Sequence, residues 1–173
     1  GGEGTEAAPY EIANVRHFKN INENKSAHYL QIADFTIEDG YTPVCPDYTN
    51  RFNGTYRGKQ DLENGIKYRT VHFNNVTAPA EFFGLFGSVG ETAVVGTTGT
   101  VNSTANYVGG IAYQNIGVIQ NCYSSANLTT TASYCGGIVG DNRGVIENCY
   151  STGNLSAASY AAGIAAITAN GNQ

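Results

Sequence analysis

Carboxylate side chains could give this sequence a hydrolytic activity, because a pair of them flanking a glycosidic bond can cleave it. From residue 82 to the C-terminus, the acidic residues are only Glu91, Asp141 and Glu147. Asp141 and Glu147 lie six positions apart, a spacing that favours opposite sides of a corner rather than a facing pair. Arg143 has no basic equivalent in the preceding repeat of the sequence, where Ile116 stands. We therefore expect no enzyme activity and no cofactor.

A second group of acids lies in the N-terminal half, where Asp34, Glu38, Asp39 and Asp47 fall within a short stretch. Oxygen ligands of this kind suit Ca²⁺ when several converge. The alternative is a solvated acidic loop, or Asp side chains that bond their own turns. We favour the second interpretation and predict no metal site.

The histidines do not suggest a metal centre either. His17, His28 and His72 are far apart, and the sequence has no H-E-x-x-H motif. Such a motif places two imidazoles on one helix face around zinc. We expect these three side chains to serve packing or to lie on the surface.

Four cysteines could bind metal, pair as disulfides or act as nucleophiles. Cys45, Cys122, Cys135 and Cys149 contain no C-x-x-C spacing, so a zinc site has little support. No histidine lies near them in sequence to activate a thiol. We favour free, buried thiols that pack as small apolar groups. A disulfide remains the alternative in an extracellular setting.

Tyrosines give the best candidate for binding. Tyr123 and Tyr150 occupy equivalent positions of successive repeats, and Tyr107, Tyr134 and Tyr160 recur in the same way. Rows of aromatic rings on a rigid face add contact area at low entropic cost. They are therefore a candidate ligand face, and the alternative is that they are partly buried ladders that hold the fold together.

Composition narrows the classes of function. The chain has 173 residues, a formal net charge of −5 and 13% charged residues, with 22 glycines and no methionine. An acidic chain is not built to neutralise phosphates, so we expect no nucleic acid partner. No apolar run approaches the length of a membrane helix. The missing methionine leads us to expect a piece of a longer protein.

These side chains are positioned by an internal repeat. Residues 115–128 (NIGVIQNCYSSANL) align with residues 142–155 (NRGVIENCYSTGNL), and 10 of the 14 positions are identical. The repeat length is 26 to 27 residues, which is short enough for a single supersecondary unit. Its Gly, Asn, Ser, Thr, Val and Ile content favours strands and turns over helices. The equivalent positions of four successive repeats are Gly84, Gly110, Gly137 and Gly163, each followed by Leu85, Ile111, Ile138 or Ile164.

We therefore predict an all-β fold, a right-handed parallel β-helix (β-solenoid) with one coil per repeat. The hand follows from the general rule for parallel crossovers. Equivalent residues should stack about 4.8 Å apart, including Cys122 on Cys149 and Asn121 on Asn148 as a corner ladder. Glycines are expected where corners need a positive φ, for example at Gly137, or where backbones approach closely.

The N-terminal half is less regular. Strand-like runs cover residues 9–12, 29–37, 52–56 and 68–73, and loops are predicted over residues 41–50 and 59–64. Val15, Phe18 and Ile21 have helical spacing over residues 14–22, which predicts a short helix that caps the first coil. We divide one continuous solenoid into a cap with irregular coils, residues 1–81, and regular coils, residues 82–173.

The repeats resemble a known family. The sequence GLFG at residues 84–87, and GGIVGxNxGxIxNCYSTGNL over residues 136–155, look like the GLUG-motif repeats of bacterial surface proteins. Similar repeats occur in non-catalytic regions of IgA-peptidase-type proteins and in adhesins. The last repeat departs from this pattern, with Ala162 and Ala166 in place of glycine. The resemblance implies a secreted or cell-surface solenoid and transfers no catalytic residues.

Together these features predict an extracellular adhesion or binding module at a bacterial cell surface. Its expected partner is a host or matrix protein or a glycan, and this piece is not expected to insert into a membrane. A passive spacer that displays another domain is the alternative, and a polysaccharide-degrading enzyme is less favoured. Further coils or a partner are expected to cover the C-terminal end.

Overall fold

The fold is a parallel β-solenoid of about five turns with one short helix near its N-terminus, as predicted. The computed structural model describes residues 1–78 and 81–169. The end of the predicted last coil, residues 170–173, lies outside this range. All strand pairings in the described part are parallel, and only the bridge between Asp61 and Ile66 is antiparallel.

The described strands are short and separated by corners. In chain order they are β1 Tyr10–Ile12, β2 His28–Gln31, β3 Phe35–Ile37, β4 Phe52–Gly58, β5 Arg69–Ala78, β6 Phe82–Phe83, β7 Phe86–Ala93, β8 Val95–Ser103, β9 Tyr107–Gly109, β10 Ala112–Gln120, β11 Tyr123–Ser124, β12 Asn127–Thr130, β13 Tyr134–Gly136, β14 Val139–Asn142, β15 Val145–Glu147, β16 Tyr150–Ser151, β17 Leu155–Ser156, β18 Tyr160–Ala162 and β19 Ala165–Thr168. Helix α1 covers Val15–Lys19 and continues as a 3-10 turn over Asn20–Glu23.

Three parallel sheets run along the solenoid axis. The first sheet has the order β1-β2-β4-β7-β10-β14-β19, with β15 also paired to β10. The second sheet has the order β16-β11-β8-β12-β17, and β5 joins β8 to β3 at its N-terminal end. The third sheet, β18-β13-β9-β6, is narrow. Each coil therefore contributes strands to all three sheets in the regular part of the chain.

The register confirms the predicted period. Phe86 pairs with Ala112, Ala112 with Val139 and Val139 with Ala165, so each step across the first sheet is one repeat of the sequence. One step is longer, because Thr55 of β4 pairs with Glu91 of β7. The predicted loop over residues 59–64 provides this extra length as an exposed turn beside the antiparallel bridge.

The interior is filled by the predicted ladders. Leu85, Ile111 and Ile138 are fully buried, and Ile164 packs on them half-buried in the last described coil. Stacking identical aliphatic positions buries a continuous core that no single coil could bury alone.

The expectation that Gly137 has a positive φ was wrong. Its φ is not positive in the structure. A Cβ there would instead overlap the carbonyl oxygen of Gly163 and the hydroxyl of Ser151. Gly110 is restricted in the same way by Gly137 and Ser124. Close backbone approach, and not corner conformation, is therefore why glycine is needed at these positions.

Asparagines occupy the left-handed corners instead. Asn121 and Asn148 both have φ of 51°, one coil apart, so the predicted corner ladder exists as a repeated backbone conformation. Asn tolerates this region better than most residues. The amide of Asn115 also donates to the side-chain oxygen of Asn142 at 2.9 Å, as stacked Asn ladders predict.

The helix lies where the sequence places it. The side chain of Asn14 accepts a hydrogen bond from the backbone N–H of His17 at 3.0 Å, which fixes the start of α1. Phe18 is fully buried, with its ring centroid 5.2 Å from that of Phe86 and 5.4 Å from that of Tyr56. The helix thus plugs the interior at the N-terminal end.

The predicted strand run over residues 29–37 forms two strands, β2 and β3. Asp34 lies at the corner between them, where its carboxylate bonds a backbone N–H of the next coil. The run predicted as one strand over residues 29–37 is therefore divided at Asp34, where the chain turns a corner.

Candidate functional site

Two aromatic groups lie on the outside of the solenoid, on different sheets. The first, which we call the Tyr150 patch, consists of Tyr123 and Tyr150 on the second sheet and Tyr68, which directly precedes β5. The rings of Tyr123 and Tyr150 are stacked with centroids 5.5 Å apart and planes 14° apart. Tyr68 meets both rings edge-on, at 4.9 Å from Tyr123 and 6.5 Å from Tyr150.

The base of this patch is fixed by a glycine and a threonine. Tyr123 pairs with Gly96 of β8, and a Cβ on Gly96 would overlap the Tyr123 ring. The missing side chain therefore lets the ring lie directly against the sheet. The Tyr123 hydroxyl is 2.9 Å from the hydroxyl of Thr70, two coils toward the N-terminus. Tyr123 is held at both ends, while Tyr150 keeps 45% of its surface exposed.

The second group, which we call the Tyr160 column, consists of Phe82, Tyr107, Tyr134 and Tyr160 on the third sheet. The Tyr107–Tyr134 centroids are 5.0 Å apart with planes at 18°, and the Tyr134–Tyr160 centroids are 5.4 Å apart with planes at 5°. Phe82 continues the row at 5.9 Å from Tyr107. Tyr160, the last described member, is 60% exposed. The five predicted ligand-face tyrosines are therefore divided between two faces.

The N-terminal acids do not form a common site. The carboxylates of Asp34 and Asp39 accept hydrogen bonds from the backbone N–H groups of Thr70 and Thr77, at 2.8 and 2.7 Å. Glu38 accepts from the amide of Asn74 at 2.7 Å. Each of these acids thus tethers β5 to the preceding coil.

Asp47 belongs to a turn of its own. Its carboxylate accepts from the backbone and the side chain of Asn50, and these hydrogen bonds lower the pKa of Asp47. Over residues 1–78 and 81–169, no three His, Cys, Asp or Glu side chains converge in a way that could hold a metal ion.

The acids of the regular coils are also separated. Asp141 is buried, accepts from the Gln114 amide at 3.1 Å and forms an ion pair with Arg143 at 2.8 Å. Gln114 in turn accepts from the hydroxyl of Ser88 at 3.2 Å. Glu147 is exposed on β15. The Asp141 carboxylate is therefore bound by Gln114 and Arg143, and Glu147 lies on a different strand.

The histidines contact neighbouring side chains and backbone. Nδ1 of His28 is 2.8 Å from the hydroxyl of Thr55, and Nδ1 of His72 is 3.0 Å from the hydroxyl of Thr98. Nδ1 of His17 accepts from the backbone N–H of Ala13 at 3.4 Å. The expectation of packing or surface roles agrees with these contacts.

The four cysteines are free in the structure. Cys122 and Cys149 stack on adjacent coils, and the backbone N–H of Cys122 is 3.4 Å from Sγ of Cys149. A hydrogen bond between the two thiols, followed by burial, raises the pKa of Cys122 well above its usual value, and the same bond lowers the pKa of Cys149. Burial raises the pKa of Cys45 to about 12 and of Cys135 to about 11.

A cleft of about 420 Å³ opens beside the helix, between α1 and the loop over residues 41–50. Lys19, Lys25, Asn22 and Asn50 contribute polar groups, and Pro43 and Pro46 are among its other lining residues. It lies away from both aromatic groups.

The sequence analysis missed the parts of the Tyr150 patch that lie outside the repeat. Tyr68 and Thr70 follow the long loop, so no periodic spacing pointed to them. Gly96 could have been found, because it takes the place of Tyr123 one coil earlier in the alignment.

Beside the patch the second sheet presents a row of polar side chains, which we call the polar strip: Thr98, Thr100, Asn127 and Asn154. The two threonines are partly exposed, and the two asparagines are fully on the surface. Thr100 pairs with Asn127, whose side chain accepts from the backbone N–H of Asn154 at 3.0 Å.

The last described coil is more open than the others. Ile146, Leu155 and Ile164 belong to the core ladders but are only half-buried. The covering of this end by further coils or a partner remains a prediction, as does the division at residue 81. In the described ranges, no helix is long and apolar enough to cross a membrane.

These features define a parallel β-solenoid with aromatic columns on two of its faces. No family model matches the chain. It is 31% identical over 135 residues to a protein of Evansella cellulosilytica named "Putative Gly-rich membrane protein", an alignment that covers 70% of this chain and 15% of the relative.

A solved structure has a similar fold. The "putative immunoglobulin A1 protease" from Bacteroides ovatus matches with a TM-score of 0.65 at 21% identity, over 98% of this chain and 64% of that chain. At this identity the similarity establishes the fold alone. The chain therefore spans less than two thirds of each of these two proteins.

Proposed function

We propose that this chain is a non-catalytic binding module of a bacterial cell-surface protein, acting as an adhesin through an outer face of the solenoid. The name of the Evansella relative, a membrane protein, supports a surface location. The large part of that relative outside the alignment supports a module within a longer protein.

One observation carries the proposal: aromatic rings are held in fixed positions on the outside of a rigid scaffold. Tyr107, Tyr123 and Tyr134 are partly exposed although a coil lies on either side of each, and the tyrosine rings of each row are stacked. Tyrosine is a favourable contact residue because its large ring has few rotatable bonds. A ring already held by its neighbours loses little further entropy on binding.

We propose a non-catalytic module because the acidic residues of the regular coils do not form a facing pair. Asp141 is paired with Arg143 and hydrogen-bonded to Gln114, whereas Glu147 projects to solvent from another strand. A glycoside hydrolase needs two carboxyl groups that face one bond.

The test is a binding panel. The purified chain is applied at physiological salt to immobilised matrix proteins, mucins and polysaccharides, and bound protein is measured against concentration. We expect a saturable isotherm on at least one surface, with loss of binding in either Tyr150→Ala or Tyr160→Ala.

The alternative function is a passive spacer, which the continuous core ladders and stacked rings would also suit. It predicts linear, unsaturable signals on every surface of the panel. Circular dichroism of each variant confirms that a lost signal does not come from unfolding.

A further inference from the structure

The charges of the regular coils lie on one side of the solenoid. Glu91, Asp141 and Glu147 belong to β7, β14 and β15, which are all strands of the first sheet, and Arg143 lies between β14 and β15. The sequence has no acidic, basic or histidine residue between Glu91 and Asp141, and none after Glu147. The strands β8, β11, β12, β16 and β17 of the second sheet are therefore uncharged.

The ionisable side chains at the N-terminal border of this face already have partners. On β5, Nε of Arg69 donates to the carbonyl oxygen of Lys59 at 3.0 Å. The imidazole of His72 lies 3.0 Å from the hydroxyl of Thr98, the first residue of the polar strip. The Arg69 bond holds its guanidinium against the long loop.

This uncharged face combines two kinds of chemistry side by side. The Tyr150 patch offers aromatic rings, and the polar strip offers hydroxyl and amide groups that both donate and accept hydrogen bonds. Tyr123 pairs with Gly96, two residues from Thr98, so the side chains of Tyr123 and Thr98 are neighbours on β11 and β8. Gly99, with a φ of 95°, follows Thr98, and Thr100 then pairs with Asn127 of β12.

A neutral sugar polymer matches both kinds of chemistry. Its rings present apolar C–H faces that pack against aromatic side chains, and hydroxyl groups around the rim that pair with amides and alcohols. A charged ligand would lose hydration without gaining a counter-charge on this face, which is unfavourable. A protein partner would need a larger apolar centre than these three rings provide.

Tyr150 is the most exposed ring of the patch, because Tyr123 lies between Gly96 and Tyr150 and Tyr68 meets both rings edge-on. Tyr150 is therefore the ring on which a sugar would stack. The ring of Tyr123 is fixed against Gly96 and by Thr70. The Tyr150 hydroxyl can both donate and accept a hydrogen bond.

We propose that the Tyr150 patch and the polar strip form a binding site for a neutral polysaccharide chain. This inference rests on the proposed binding function and specifies its ligand class and its face. It assigns no ligand to the Tyr160 column.

Native affinity electrophoresis tests the inference. The chain is run through gels containing hydroxyethyl cellulose, laminarin, galactomannan or dextran, and through gels containing carboxymethyl cellulose as an anionic counterpart. We expect retardation by at least one neutral polymer and none by carboxymethyl cellulose. Replacing Tyr150→Ala should weaken the dissociation constant about tenfold, which corresponds to about 1.4 kcal/mol.

The matched control is Tyr160→Ala, which removes a tyrosine that is 60% exposed, against 45% for Tyr150, from another sheet and should bind as the unmodified chain does. Tyr150→Phe keeps the ring and should retain most of the affinity. Thermal melts verify that each variant is folded.

The other outcomes separate the two proposals. Retardation by carboxymethyl cellulose alone, or loss in Tyr160→Ala but not in Tyr150→Ala, overturns the assignment of ligand or face and leaves an adhesin. Binding to matrix proteins without retardation in any gel does the same. No retardation and no saturable binding on the panel overturns both.

Discussion

Phe18 should contribute more to the stability of this fold than any other residue of the helix. Its side chain is fully buried, and its centroid lies 5.2 to 5.5 Å from those of Phe35, Tyr56 and Phe86. Replacing Phe18→Ala removes these contacts and leaves a cavity that the surrounding sheets cannot close. Substitutions of this type cost about 4 kcal/mol.

For a domain of this size, that loss lowers Tm by about 10 °C. The assay is urea unfolding followed by circular dichroism, together with thermal melts. Arg16→Ala, on the exposed side of the same helix, is the control and should change stability by no more than about 0.5 kcal/mol. A loss below about 1 kcal/mol for Phe18→Ala, far less than a filled core site should cost, would refute the view that the helix plugs the interior.

Three further results are expected. Gly137→Ala should cost about 2 kcal/mol by overpacking, whereas Gly163→Ala at the equivalent position should be nearly neutral, because a Cβ at Gly163 meets nothing within 4 Å. A thiol reagent should label one cysteine in the folded protein, Cys149, which alone is only partly buried and has a lowered pKa, and all four after unfolding. Alkaline solution should destabilise the fold above about pH 10, because burial raises the pKa of Tyr29 to about 12 and that of Tyr56 further.

Each result has a measurement that can contradict it. Equal melting temperatures for the two glycine variants would remove the close-approach explanation. An intact mass with no label on the unfolded protein's cysteines would indicate disulfides. The tyrosine result has a defined sign: a pKa raised in the folded state means that stability is complete below the ordinary value of 10.0 and is lost as pH rises. Constant stability up to about pH 12 would contradict the buried, protonated tyrosines.

The structure of the regular coils was predictable because the sequence repeat identifies which residues are equivalent in successive coils. Identical residues at a constant spacing stack in a solenoid, so the partners of Ile119 and Tyr123 follow from alignment alone. The Asn115–Asn142 amide bond follows from the same logic. Short-range rules also sufficed for the helix, since Asn14 is a strong N-cap and Phe18 lies on the apolar face.

Other features depend on packing between distant segments. Gly137 is constrained by a carbonyl from the next coil and by a hydroxyl half a coil away, and nothing in its local sequence distinguishes this from a positive φ. Tyr68 reaches Tyr123 only because the exposed turn before it lengthens one coil. The acids Asp34 and Asp39 resemble a cation site in sequence, yet each bonds a backbone N–H of β5.

The central claim is that this solenoid binds a ligand through the face that carries Tyr150. The most direct measurement is an NMR titration of isotope-labelled chain with soluble fragments of the neutral polymer that gives retardation. We predict saturable shifts of the Tyr68, Tyr123 and Tyr150 ring signals and of the Thr98 and Asn127 resonances, with the Tyr160 signals unchanged. Shifts confined to the Tyr160 column, or none at saturating concentration, would contradict the account.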